Sequence, residues 1–200
     1  MRSFLSILAF VFVVVNVQAQ SFKRYYQKSE KTYLGIDYTA ARFVGAEGFP
    51  TPSDLPKLMN AWNEFVKTEP SKYNVPETFM DGKIEIDLSH AQKANDKIDV
   101  YNVVQEDNHT IDKDKAAEVA LGYNFDGMSG LAFLFVAECY NKKYLAGSYY
   151  LVMVDAETKE VIYNERYVTK PKGFGLKNFW ARTLNLMLKE VNKDLKKRLK

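Results

Sequence analysis

The sequence predicts an α/β (α+β) sandwich: a central, largely antiparallel or mixed β-sheet covered by helices, with a C-terminal three-strand meander and a long closing helix. Three observations predict it. In GLAFLFVAECY (130–140) both alternating sets, Leu131/Phe133/Phe135 and Ala132/Leu134/Val136, are apolar, so this strand needs cover on both faces. Two more strand runs follow it through short turns, GSYYLVMVD (147–155) and, after the polar AETKE, VIYNERYVT (161–169), which makes a meander. Leu176, Phe179, Trp180, Thr183, Leu184, Met187, Leu188 and Val191 then fall on one stripe of a helix long enough to lie across the sheet.

The earlier elements follow in chain order. Residues 20–30 show no period and read as a leader to a single α/β domain over 31–200. KTYLGIDYT (31–39) places Leu34, Ile36 and Tyr38 on one strand face. GAEGFPTPS interrupts it, and Leu55, Leu58, Met59, Trp62, Phe65 and Val66 recur at helical spacing, with Ser53 as N-cap and Glu69-Pro70 as the stop. KIEIDLS (83–89) alternates apolar and charged residues, as a strand near a sheet edge does. Residues 90–109 are polar and fit no template. A helix capped by Thr110 runs to Leu121, burying Ala116, Val119 and Ala120 and stopping at Gly122.

The start of the chain reads as a cleavable secretory signal over residues 1–19. Arg2 gives the positive start, Phe4 to Val15 is apolar apart from Ser6, and Val17-Gln18-Ala19 places small residues at the cleavage site. The apolar run is shorter than the roughly 20 residues that cross a bilayer, so no transmembrane segment is expected after cleavage. No cysteine stands just after the cleavage point, at Gln20-Ser21-Phe22, which argues against a lipid anchor, and Cys139 alone forms no intrachain disulfide. A periplasmic location is expected, with secretion or an outer-surface position as alternatives.

Removing Arg2 with the signal takes the 28 basic side chains to 27 against 25 acidic, a net of +2. Near-neutrality and export together argue against a nucleic-acid partner. The basic surplus gathers in the last turns of the closing helix, at Lys189, Lys193, Lys196, Lys197, Arg198 and Lys200, where cations complement the helix dipole.

KPKGFGLKNFWARTLNLMLKEV (170–191) is the stretch with the clearest site character. Gly173 and Gly175 with Lys170, Lys172 and Lys177 are the parts of a phosphate cradle, which needs backbone N–H groups converging at a helix N-terminus. Neither the Walker spacing nor the dinucleotide fingerprint is present, and a sharp strand-to-helix reversal accounts for the same residues. The weak binding set expected here is Gly173, Gly175, Lys177, Asn178 and Arg182.

Chemistry elsewhere is sparse. Cys139 would need His90 or His109 as a base, and its strand position implies a buried, inert thiol. EDNHTIDKD (106–114) holds Asp107, His109, Asp112 and Asp114 at spacings that suit neither zinc nor calcium. Asp37 and Glu47 sit in apolar surroundings without an evident acid–base partner. Paired aromatics such as Tyr25-Tyr26 and Tyr149-Tyr150 suit core packing more than a groove. No catalytic residues, no cofactor and no metal site are expected.

Four motifs occur in order: Gly35-Ile36-Asp37-Tyr38, Gly45-Ala46-Glu47, Glu69-Pro70-Ser71-Lys72-Tyr73, and Gly173-Phe174-Gly175-Leu176-Lys177-Asn178-Phe179-Trp180-Ala181. Together they resemble a Bacteroidetes-type family of secreted or periplasmic proteins with no assigned catalytic residues. With no catalytic residues to carry over, the resemblance implies location and class only, and Lys177 and Phe179 stand where that pattern has Arg and Tyr, which argues against a role needing a guanidinium fork or a phenol there. The order of elements is also similar to small periplasmic α/β domains: the N-terminal domain of the Tol-Pal propeller protein, the curli secretion-channel protein, and outer-membrane activators of penicillin-binding proteins. Such modules imply protein partners met through sheet edges and helix faces.

The expectation is therefore a non-catalytic protein-interaction module of the bacterial cell envelope, with envelope proteins as partners. The alternative is a small-ligand-binding protein or hydrolase-type enzyme whose site is assembled from Asp37, Glu47, Cys139 and His109. A third reading, a subunit of a surface assembly, needs an unpaired sheet edge near residues 83–89.

Overall fold

The computed structural model describes residues 22–200. The proposed signal over residues 1–19 lies outside them. Where the leader shows no period, residues 22–28 form a helix (α1) that buries Tyr26. The strands are β1 (Lys31–Asp37), β2 (Arg42–Val44), β3 (Glu85–Ile86), β4 (Val104–Gln105), β5 (Leu131–Asn141), β6 (Ala146–Asp155) and β7 (Val161–Thr169). The further α-helices are α2 (Leu55–Thr68), α3 (Val75–Thr78), α4 (Ser89–Asn95), α5 (Lys113–Leu121) and α6 (Leu176–Arg198).

The seven strands form one curled sheet, and its pairing corrects the expected sandwich around a largely antiparallel or mixed sheet. Every pairing along β3-β1-β5-β2-β4 is parallel. Antiparallel pairing is confined to β5–β6 and β6–β7, the hairpins of the meander. The architecture is thus α/β on a parallel core. The physical reason lies in β5, whose second edge is taken by two N-terminal strands running in its own direction. β1 lies along Leu131–Val136 and β2 along Cys139–Asn141, so together they act as one strand interrupted at residues 38–41. Parallel neighbours need long crossovers, and the segment from 45 to 130 supplies one carrying α2 to α5.

The double-sided apolar pattern of β5 and β6 sorts the core into two. Leu131, Phe133, Phe135, Tyr149, Leu151 and Met153 face the larger cluster with α2, α3 and α6. Ala132, Leu134, Val136, Tyr150, Val152 and Val154 face the smaller one with Ala116 and Ala120 of α5. Aromatic bulk is spent on the first side, where Tyr140 stacks on Phe43 at 5.3 Å and on Trp62 at 4.9 Å between ring centroids.

Three elements differ from expectation in detail. The α2 N-cap is Asp54 rather than Ser53, because Ser53 lies within a 3-10 turn over Pro52–Asp54 that leads into the helix. KIEIDLS pairs only over Glu85–Ile86, at the edge beside β1, before the chain turns into α4. The α5 N-cap is Asp112, whose carboxylate accepts from the Lys115 amide at 2.7 Å, rather than Thr110.

Candidate interaction surface

Two loops leave the sheet at the end where β5 finishes. The β5–β6 turn spans residues 142–145. Asn141 fixes it by accepting the Tyr144 amide at 2.9 Å through Oδ1 and donating Nδ2 to Asn108 at 2.9 Å. Tyr144 is 71% exposed and Leu145 46% exposed. Gly147 of β6 pairs with Thr169, so β7 ends beside this turn and the 170–175 loop emerges next to it.

That second loop is a closed reversal. The Lys172 amide donates to the Phe179 carbonyl at 3.2 Å and the Phe179 amide to the Gly175 carbonyl at 2.9 Å. Gly173 and Gly175 adopt φ of 133° and 77°, values that a side chain rarely tolerates. Phe174 stands between them, 96% exposed. The base beneath is rigid: Trp62 Nε1 donates to the Lys177 carbonyl and Trp180 Nε1 to the Gly48 carbonyl, each at 3.0 Å.

The structure gathers Gly173, Gly175, Lys177 and Asn178 around this loop. Lys177 lays its ammonium over the Phe65 ring, 4.6 Å from the centroid. Arg182 belongs to the flank of α6, where it donates to Asn185 at 2.8 Å, and Asn185 donates to the Lys72 carbonyl at 2.6 Å. Sequence reasoning missed Tyr144, Leu145 and Phe174. The signal was present in Lys-Lys-Tyr-Leu, since two adjacent apolar residues at the crest of a lysine-bearing hairpin have no core to enter.

The alternative set forms no nucleophile–base pair: Cys139 meets His109 through the His109 backbone, while the imidazole is engaged with the Ala40 carbonyl. Asp37, 1% exposed, ends β1 and accepts from Tyr123 Oη at 2.6 Å, the Thr39 amide at 2.7 Å and Thr39 Oγ1 at 2.5 Å. Burial, helped by the Asp37 charge, pushes the Tyr123 phenol well above its ordinary range, so it stays a donor. Glu47 is exposed on a single 3-10 turn. Cys139 is buried and its thiol is pushed up to about 11 by desolvation and then by the Glu138 charge, the opposite of nucleophile activation. His109 is held below its ordinary value by burial, and its Nε2 lies 3.0 Å from the Ala40 carbonyl as donor. His90 sits 3.5 Å from Asp87 on α4. Among the described residues no group of three or more His, Cys, Asp or Glu could hold a metal ion.

Clefts lie elsewhere. One of about 450 Å³ runs between β7 and α6, lined by Tyr167, Val168, Lys193, Asp194 and Arg198 among others. Another of about 920 Å³, at the opposite end of the sheet, is lined largely by polar groups such as Glu30, Asp81, Asp87 and His90. Neither is the apolar pocket with a few convergent polar groups that a small ligand needs; a smaller, more apolar cleft of about 380 Å³ lies by Arg42, Ile98 and Val103, and one of about 460 Å³ is lined by Asp37, His90 and Tyr123. Among the described residues no helix is long and apolar enough to cross a membrane.

No protein-family model and no curated protein matches the chain, so these comparisons lend nothing to the resemblance to a Bacteroidetes-type secreted family. Among solved structures the chain is weakly similar to the LpoB C-terminal domain from Salmonella enterica, at 12% identity and a TM-score of 0.31, over 74% of this chain and 95% of that one.

Proposed function

We propose that this protein is a non-catalytic interaction module of the cell envelope that docks through the end of its sheet formed by residues 142–145 and 170–178. The carrying observation is Phe174: a phenylalanine 96% exposed, framed by two glycines of positive φ on a rigid helix start. Leaving such a ring in water forgoes about 1.5–3 kcal/mol of burial, a sacrifice that a docking contact recovers. Export through the signal read at residues 1–19 supplies the compartment, and a Cys139 thiol whose neighbour His109 turns its imidazole to the Ala40 carbonyl favours binding over chemistry.

The test is in-cell photo-crosslinking with a photoreactive residue placed at Phe174 or Tyr144, and at Leu121 on α5 as the control. One envelope component captured from the two tip positions and absent at Leu121 is expected. Identical capture profiles at all three positions would remove the tip from the reading.

A further inference from the structure

We infer that the surface onto which this tip docks is an anionic membrane, with Phe174, Tyr144 and Leu145 entering the interface and Lys170 and Lys172 meeting headgroups. This rests on the reading of the tip as a docking element. The first support is distribution. Among the described residues seven large hydrophobics are exposed: Tyr144, Leu145 and Phe174 stand on these two loops and Val168 lies in β7 just before the second, while Met80, Tyr101 and Leu121 are dispersed. An apolar patch so concentrated marks a contact surface.

The second support is shape. Phe174, Tyr144 and Leu145 line none of the four clefts described above and stand on the crests of two neighbouring loops. Knobs of this kind enter a soft, deformable surface that needs no preformed pocket. Loop closure through Lys172 and Phe179, with Gly173 and Gly175, holds the ring outward before contact, so little ordering entropy is lost on docking.

Charge is the third support. Lys142, Lys143, Lys170, Lys172 and Lys177 all lie on these two loops or the first turn of α6. Glu106 neutralises Lys143 at 2.7 Å, and Glu47 and Asp107 act on the same lysine, so the acids collect on that side. Lys142 lies over the Phe179 ring at 4.7 Å and Lys177 over Phe65. Lys170 and Lys172, exposed on the strand side of Phe174, form no ion pair among the described residues. Unpaired ammonium groups beside an exposed aromatic complement phosphate headgroups above acyl chains.

The experiment is co-sedimentation of the full chain, as purified from cells, with phosphatidylglycerol-rich vesicles and with neutral phosphatidylcholine vesicles. All variants keep the same N-terminus, so differences report the tip alone. Binding to the anionic vesicles is expected to weaken at least tenfold in Phe174→Ser and about fivefold for each of Lys170→Ser and Lys172→Ser. It should also fall between about 0.1 M and about 1 M salt. Equal binding to both vesicles, unchanged by the tip variants, would overturn the inference. Absence of vesicle binding together with a protein crosslinked at Phe174 would overturn the membrane as partner and leave the docking reading standing. Absence of both would remove both. Phe174→Ser should unfold at the wild-type temperature, since its ring has almost no protein neighbours to lose.

Discussion

Asn63 of α2 closes both backbone groups of Ile36 in β1: Oδ1 accepts the Ile36 amide at 2.7 Å, and Nδ2 donates to the Ile36 carbonyl at 3.0 Å. The contact sits where the β1–β5 register shifts between Tyr33 and Ile36, so the sheet leaves these groups for a side chain to satisfy. Asn95 of α4 adds a second donor to the same carbonyl at 2.9 Å.

Asn63→Leu is therefore expected to destabilise the fold by about 2–3 kcal/mol, chiefly through the orphaned Ile36 amide, because the carbonyl keeps Asn95. Gly35→Ala should be comparably damaging. Gly35 has φ 101°, and an added Cβ would lie 2.8 Å from Asn63 Oδ1. Urea unfolding measures both, and a loss under 0.5 kcal/mol in either would show that the bulge relaxes freely.

Glu138 is the fully buried carboxylate of β5. Its Oε2 accepts from Arg166 Nε at 2.8 Å and Nη2 at 2.6 Å, and its Oε1 accepts the Ile111 amide at 3.0 Å. Arg166→Met strands that charge and should cost about 2–3 kcal/mol, somewhat less than a deep-core pair, because the Arg166 side chain is 39% exposed. Glu138→Gln in the same background should recover part of the loss by removing the unpaired charge. A double variant no more stable than Arg166→Met alone would exclude desolvated charge as the cause.

The Cys139 thiol gives a signed pH dependence. An acid whose folded pKa is raised, here from 9.0 to about 11, favours the folded state while it remains protonated. Its contribution is fully present below pH 9, where the unfolded thiol is also neutral, and is lost as pH rises toward 11. Comparison of wild type with Cys139→Ala by urea unfolding at intervals across that range isolates it from the tyrosines. The stability difference should shift against wild type by about 2–3 kcal/mol over those two units. The same burial predicts no reaction with a thiol reagent at neutral pH until the chain unfolds.

The meander was legible because its pairings join segments next to one another in the chain, and the two-faced apolar code of 131–136 named both covering layers in advance. The pairing of Lys31 with Leu131 was not, because nothing local records it: the strands are far apart in sequence, and parallel register is set by the length of the crossover. β2 and β4 escaped notice because three- and two-residue strands have too few positions to show a period. At the surface, Gly173 and Gly175 were legible as a reversal, but the same pattern left open whether Phe174 turned inward. Only the packing of Trp62 and Trp180 beneath the loop decides that.

The free edge of β7 invites a last prediction. Among the described residues β7 pairs with β6 alone, so its other side offers backbone groups over nine residues. Glu165, near the middle, accepts from Lys113 of α5 at 3.0 Å and from Arg198 of α6 at 3.1 Å, although these helices cover opposite faces of the sheet. The carboxylate must straddle the edge to reach both, and a charge clasp there excludes an incoming strand. Exposed pairs of this kind add about 0–1 kcal/mol each to stability, so Glu165→Val should leave the unfolding midpoint nearly unchanged. It should instead raise self-association, seen by light scattering as growth in mass with concentration beyond that of wild type. If Glu165→Val loses stability while its mass stays that of wild type, the clasp holds the helices and guards nothing.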